Sequence, residues 1–210
     1  MKKVIQTMNS YTGRMVSVEG LDGAGTTTVT SGLQEEFGGN EASEFTQEPS
    51  EGVYGRYLRK ELASDSDPTA SDFFMFCADR YDHCHSLIGP SLEKGKTVIT
   101  DRYQLSTYAY QAPVLESFVD EPIEFIDETL DNFVIEPDLT ILIDIPVDIA
   151  LERVGNDTEK YEKRDSLERA REIYLRQAER RDYVEVIDGT QSEEEVLEEA
   201  KELYLRDEWN

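Results

Sequence analysis

Gly20-Leu21-Asp22-Gly23-Ala24-Gly25-Thr26-Thr27-Thr28 is the stretch on which the fold turns. It follows a short apolar run, Met15–Glu19 (MVSVE), and leads into a helical pattern from about Thr27 to Phe37. Strand, glycine-rich loop and helix in that order are the setting of the phosphate-cradling frame G-x-x-x-x-G-K-[ST]. Glycines let backbone N–H groups turn inward, and the helix N-terminus adds its positive end. Thr27 occupies the hydroxyl position that ligates Mg²⁺ in this frame. Thr26 stands where lysine is expected. That lysine normally meets the terminal phosphates as a point charge. Losing one preorganised group of this kind costs on the order of 10²–10³ in rate. Either another cation substitutes, with Arg102, Arg153, Lys160, Lys163 and Arg164 as candidates, or the protein is weakened.

Outward from the loop, strand and helix signals alternate to the end of the chain. Strands are expected at Met15–Glu19, Glu44–Gln47, Thr97–Asp101, Leu139–Ile145 and Val184–Ile187. Between them the spacing predicts helices over Val53–Ala63, Thr69 to about Glu93, Leu105–Tyr110, Pro122–Phe133, Val147–Val154, Ser166–Arg181 and Glu193–Leu205. Continuous apolar strands separated by helices indicate a parallel sheet covered on both faces. The expected fold is α/β: one three-layer domain over 15–210 with a five-stranded parallel sheet. Residues 1–14 have a basic start but no apolar core and no cleavage pattern, so they are not a secretory signal. They are expected to be a frayed extension, or to lie upstream of the true start.

The 210 residues suit one domain with a real core. The net charge is −25, from 21 Lys+Arg against 46 Asp+Glu. That excludes a nucleic-acid binder working through a basic face, and a polybasic membrane-surface protein. No apolar run is long enough to span a bilayer. Arginine outnumbers lysine 13 to 8, and the acids are spread over helices. This pattern suits a salty cytoplasm, where 1 M salt cuts the Debye length to about 3 Å and self-repulsion fades. Cys77 and Cys84 lie roughly 10.5 Å apart along a helix, too far for a disulfide, as suits a reducing cytoplasm. His83, Cys84 and His85 occupy successive helix positions that point different ways, so they do not converge on a metal.

Six motifs then appear in order: EGLDGAGTTT, FTQEPSEGVYGRYLR, MFCADRYDH, DRYQLSTYAYQ, PDLTILIDIPVDIALERV with TEKYEK, and VIDGTQSEEEV. Together they resemble the thymidylate kinase family of P-loop nucleotide kinases from Met15 almost to the C-terminus. Gln47 departs from the arginine of the family's T-R-E-P segment, and Thr26 from its lysine. The resemblance implies transfer of the ATP γ-phosphoryl to dTMP, with Mg²⁺, in a cytoplasmic homodimer. It assigns the donor phosphates to Gly20 through Thr28, with Arg153 against the adenine. It assigns dTMP to Asp22, Glu48, Pro49, Phe76, Arg80, Arg102, Ser106, Tyr110, Gln111 and Tyr161. Within that set Arg102 holds the acceptor phosphate, Arg80 lies beside the thymine and Phe76 stacks on it. Asp22 lies near the 3′-hydroxyl, and Tyr110 leaves no room for a 2′-hydroxyl. Gln111 offers donor and acceptor to the imide edge. Asp101 and Thr27 hold the metal, with Glu48 near its water shell. Lys160, in a lid over about 155–164, would neutralise the transferring phosphoryl. A nucleotide-binding protein with weakened catalysis, or a kinase for another deoxynucleotide, stays open at this point.

Overall fold

The computed structural model describes residues 11–38, 41–64, 67–131, 133–155 and 164–206. Five parallel strands form one sheet: β1 (Arg14–Gly20), β2 (Ser43–Gln47), β3 (Thr97–Asp101), β4 (Leu139–Asp144) and β5 (Val184–Asp188), in the order β2-β3-β1-β4-β5. Helix α1 (Thr26–Phe37) packs on β1 and β3, and α9 (Glu193–Leu205) on β4 and β5. On the opposite face α5 (Gln104–Leu115) meets β1, and α8 (Arg164–Glu179) meets β4 and β5. Strand side chains bury in both directions: Val16, Val18, Ile99, Ile141 and Ile143 on one face and Met15, Val98 and Leu142 on the other are no more than 1% exposed. That two-sided burial is why these strands read as unbroken apolar runs.

The connection after β1 leads outward to β2, and the connection after β3 crosses to β4 on the other side. The two paths part between β1 and β3, which opens a crevice at their carboxyl ends. Gly20–Gly25 and Asp101–Tyr103 face each other across it, tied by the Arg102 amide donating to the Val18 carbonyl at 2.8 Å. The remaining helices are α2 (Val53–Leu62), α3 (Ala70–His83), α4 (Gly89–Glu93), α6 (Pro122–Leu130) and α7 (Val147–Val154).

Several boundaries differ from expectation. The helix expected over 69–93 is interrupted by a π turn at Cys84–Ile88. Pro90 lacks an N–H and its ring crowds the carbonyl four residues back. The Gly89 amide just before it reaches the Cys84 carbonyl, a five-residue step that relieves this conflict. Helix α5 runs past Tyr110 to Leu115 with Pro113 in its last turn, and α6 stops at Leu130 instead of Phe133. Residues 13 and 14, expected in an extension, join the fold. Arg14 begins β1 and the Gly13 amide donates to Leu92 at 2.9 Å; residues 1–10 lie outside the described residues.

Candidate active site

The loop backbone supplies the first requirement. Gly23 and Gly25 have φ of 80° and 97°, values that L side chains rarely adopt. A Cβ at Gly23 would also meet the Ala150 carbonyl at 2.9 Å. Gly25 caps α1, so Thr26, Thr27 and Thr28 form its first turn, with their amides free of intrahelical partners. Thr26 is 5% exposed. The Thr27 hydroxyl donates to Asp101 Oδ2 at 2.6 Å, and Asp101 Oδ1 is buried without a hydrogen-bond partner. A hard cation fits that pair: one hydroxyl, one carboxylate, and an oxygen still to be satisfied.

A donor-side cavity of about 540 Å³ is lined by Asp22 through Val29, with Arg102, Arg153, Gly189, Gln191, Glu193 and Val196. An acceptor-side cavity of about 150 Å³ lies beyond it, lined by Asp22, Glu48, Pro49, Leu62, Phe76, Arg102, Ser106, Thr107, Tyr110 and Gln111. Asp22 and Arg102 belong to both. They form a salt bridge of 2.5 Å, and the Tyr110 hydroxyl donates to the other Asp22 oxygen at 3.1 Å. Arg102 also donates to the Gly20 carbonyl at 2.8 Å and has φ 66°. A non-glycine residue there stores strain that the surroundings must enforce. Burial works against its charge, but Asp22 keeps the guanidinium protonated and pushes its pKa well up.

The enforcement comes from Glu19, which the sequence reading quoted in its motif without giving it a role. Its carboxylate is fully buried, and Oε1 accepts from the amides of Tyr103, Leu105 and Ser106 at 3.0, 2.9 and 3.3 Å. Oε2 accepts from the Ser106 hydroxyl at 2.6 Å and Tyr174 at 3.3 Å. Burial raises the Glu19 pKa against these donors and the charges of Arg102 and Arg80. The lone acid in an apolar strand, one residue before the loop, is the signal that marks it. Tyr174, on α8, carries no such signal.

Arg80, the arginine expected beside the thymine, is held by protein partners. Arg80 is 1% exposed and does not line the acceptor cavity. Its Nε and Nη2 reach Glu48 Oε2 at 2.8 and 2.6 Å, Nη1 donates to Thr107 at 2.6 Å, and Nη2 also donates to the Tyr103 carbonyl at 2.9 Å. Glu48 therefore has both oxygens engaged, the second by His83 Nδ1 at 3.1 Å. Glu48 lines the acceptor cavity while its carboxylate is engaged by Arg80 and His83, and its amide donates to the Asp101 carbonyl at 2.9 Å. The adjoining Glu48–Pro49 peptide is cis. Phe76, Pro49, Ser106, Tyr110 and Gln111 do line the acceptor cavity. Arg153 spans the loop rim, donating to the Gly23 and Gly189 carbonyls, each at 3.2 Å. Arg164 pairs instead with Asp148 at 2.7 Å and does not line the donor cavity. Lys160, Tyr161 and Lys163 lie outside the described residues. His85 turns to its own Tyr81 carbonyl, so it and His83 face different partners.

The thymidylate kinase family model matches residues 18–200. The chain belongs to the thymidylate kinase family. A relative named "Probable thymidylate kinase" from Natronomonas pharaonis is 38% identical over 190 residues, covering 90% of this chain and 95% of the relative. One from Methanococcoides burtonii is 41% identical over 170 residues, covering 80% and 84%. One from Halobacterium salinarum is 36% identical over 192 residues, covering 89% and 93%. A solved thymidylate kinase from Candida albicans superposes with a TM-score of 0.78 at 21% identity, covering 94% of this chain and 93% of that one. The last shows the fold shared across the family. Archaeal relatives from salt-loving organisms agree with the acid-rich composition.

The Glu48 network carries a pH signature. Burial alone would raise the Glu48 pKa, but Arg80 and His83 hold it below the ordinary 4.5. A depressed folded-state pKa contributes stability above the unfolded value, lost as pH falls through the folded one. Glu48→Gln should therefore be less stable than wild type near neutrality, by about 1–3 kcal/mol. The gap should narrow below about pH 4.5, as urea unfolding at several pH values would measure; a gap independent of pH would contradict the ion-pair account.

Proposed function

We propose that this chain transfers the γ-phosphoryl group of ATP to dTMP, giving dTDP. The observation that carries the reading is the meeting of the two cavities at Asp22 and Arg102. A donor phosphate in the glycine loop and an acceptor phosphate beside Ser106 would converge on the same guanidinium. Phosphoryl transfer asks for little covalent help from a protein; it needs positioning and charge neutralisation.

Each wall contributes one part. The Gly20–Thr28 amides bind the donor phosphates, and Arg153 closes the rim toward the base. Phe76 offers a face to a pyrimidine, Gln111 its amide, and Tyr110, pinned to Asp22, crowds the sugar's 2′ position. Mg²⁺ held by Thr27 and Asp101 would supply neutralisation at the donor phosphates. Among the described residues lining the donor cavity, the cations are Arg102 and Arg153. These two stand in for the lysine that Thr26 replaces, and Lys160, which lies outside the described residues, is a third candidate from the resemblance. Asp22 keeps Arg102 aimed until phosphate oxygens compete for it. The reading also places the protein in the cytoplasm, where ATP and free thiols belong; Cys77 and Cys84 are both free and buried.

A second part of the proposal is a homodimer. Phe74, Tyr81 and Phe118 are 48%, 50% and 56% exposed. They form an aromatic face with Phe125 and Phe133, through ring pairs 5.8 to 6.2 Å apart. Helices α3 and α6 supply most of it. A second copy of the same face is the occupant that hides it symmetrically. Light scattering should give twice the chain mass for wild type and one chain mass for Phe74→Glu with Tyr81→Arg. A monomeric wild type would refute this part.

The activity is tested by a coupled assay with dTMP, dUMP, dCMP and thymidine as acceptors, from low salt to multimolar KCl. The fastest turnover is expected with dTMP and should rise with KCl. Arg102→Ala should lose on the order of 10²–10³ in rate, whereas Thr26→Lys should change kcat by less than about ten-fold, since the arginines already supply the charge. Absence of turnover with every acceptor at every salt concentration would overturn the proposal.

A further inference from the structure

His83 closes the MFCADRYDH motif but has been given no role above, and it sits at the back of the acceptor site. It is 3% exposed. Its Nδ1 lies 3.1 Å from Glu48 Oε1 and its Nε2 2.8 Å from the Thr46 hydroxyl. The neutral tautomer with Nδ1–H satisfies both contacts: it donates to the carboxylate and accepts from Thr46. Glu48 is held on its other oxygen by Arg80, and Arg80 in turn holds Thr107 and the Tyr103 carbonyl. The relay thus runs Thr46–His83–Glu48–Arg80–Thr107. It ties β2, α3 and α5 together behind one wall.

Both Glu48 and Thr107 line the acceptor cavity. Arg80 has five N–H groups. Its Nε donates to Glu48, both Nη2 hydrogens are engaged by Glu48 and the Tyr103 carbonyl, and one Nη1 hydrogen goes to Thr107. The one left over is on Nη1, beside Thr107. Its direction depends on how Glu48 is held, and Glu48 depends on His83.

We propose that His83 is a positioning residue for acceptor recognition: it fixes the Glu48 carboxylate so that Arg80 and Thr107 keep the base-side wall in place. The role concerns affinity for the nucleoside monophosphate, because the phosphate-handling residues Arg102 and Thr27 lie outside the relay. It rests on the dTMP kinase reading above. Losing His83 would leave a buried carboxylate oxygen unpaired, and Glu48 would turn to find another donor.

The test compares His83→Leu, His83→Asn and His83→Gln. Asparagine can keep the donor near Nδ1; glutamine keeps only the Thr46 side. His83→Leu and His83→Gln should raise the KM for dTMP on the order of ten-fold, as for one lost hydrogen bond to a charged group. Their kcat and KM for ATP should stay within about two-fold, and His83→Asn should recover most of the dTMP affinity. If His83→Leu does not fold, Thr46→Val tests the same relay from behind, with a smaller rise in the same constant. Unchanged dTMP KM in these variants, or equal losses in kcat and in both KM values, would overturn the proposal. Calorimetric dTMP binding on the same proteins separates the two readings. A wild type that binds dTMP without turnover refutes the kinase reading, and the variants' dissociation constants still decide the role of His83.

Discussion

A carboxylate buried inside the sheet governs this active site. Glu19 ends the apolar part of β1 and accepts three backbone amides at the start of α5. Those amides belong to a helix N-terminus, where N–H groups have no intrahelical partners and the dipole favours negative charge. The interaction thus solves two problems at once. The helix start is satisfied, and a charge that burial disfavours gains donors. Arg102 sits one residue before the N-cap of that helix, Tyr103, with φ 66°. The strain is sustainable because the chain is fixed on both sides: Val18 and Gly20 carbonyls on one, the Glu19 clamp on the other.

From this clamp the two cavities follow. Asp22 comes from the loop after β1 and Arg102 from the turn after β3, and their salt bridge joins what β1 and β3 carry. Thr27 and Asp101 repeat the pairing between the same two segments, where Mg²⁺ is proposed to bind. The acceptor wall is assembled separately, through Glu48, Arg80 and His83, and is braced by Asp79 accepting from the Ser50 amide and hydroxyl at 2.7 and 2.6 Å. Acidic surface charge makes the cations in the crevice more important. At low ionic strength a −25 protein repels polyanionic nucleotides; salt screens that field but leaves close pairs such as Arg102 and Asp22 largely intact.

Much of this was legible in the sequence, for definite reasons. The five strands were visible because two-sided burial removes polar residues from them, and the loop because its glycines have no substitutes at positive φ. The resemblance pointed to Asp22, Arg102 and Tyr110 and the loop frame to Thr27, and the structure brings the first three into contact and sets Thr27 against Asp101. What escaped were contacts set by tertiary packing. Arg80 was expected beside the thymine; its pairing with Glu48, 32 residues away, had no local signal. The π turn before Pro90 broke a helix whose apolar spacing was otherwise regular. Tyr174 reaches Ser106 from 68 residues away, and nothing local announces it. Glu19 was legible as an anomaly, a charge in an apolar strand, but its role needs the amides that face it.

The most direct measurement is kcat/KM for dTMP in Glu19→Leu and Glu19→Gln, with folding checked by circular dichroism. Glutamine keeps an acceptor for the three amides, and the hydroxyls of Ser106 and Tyr174 can rotate to accept from its amide. Leucine leaves those amides buried and unpaired. The account predicts a loss on the order of 100-fold or more for leucine and less than about ten-fold for glutamine. A folded Glu19→Leu protein with wild-type kcat/KM would contradict it.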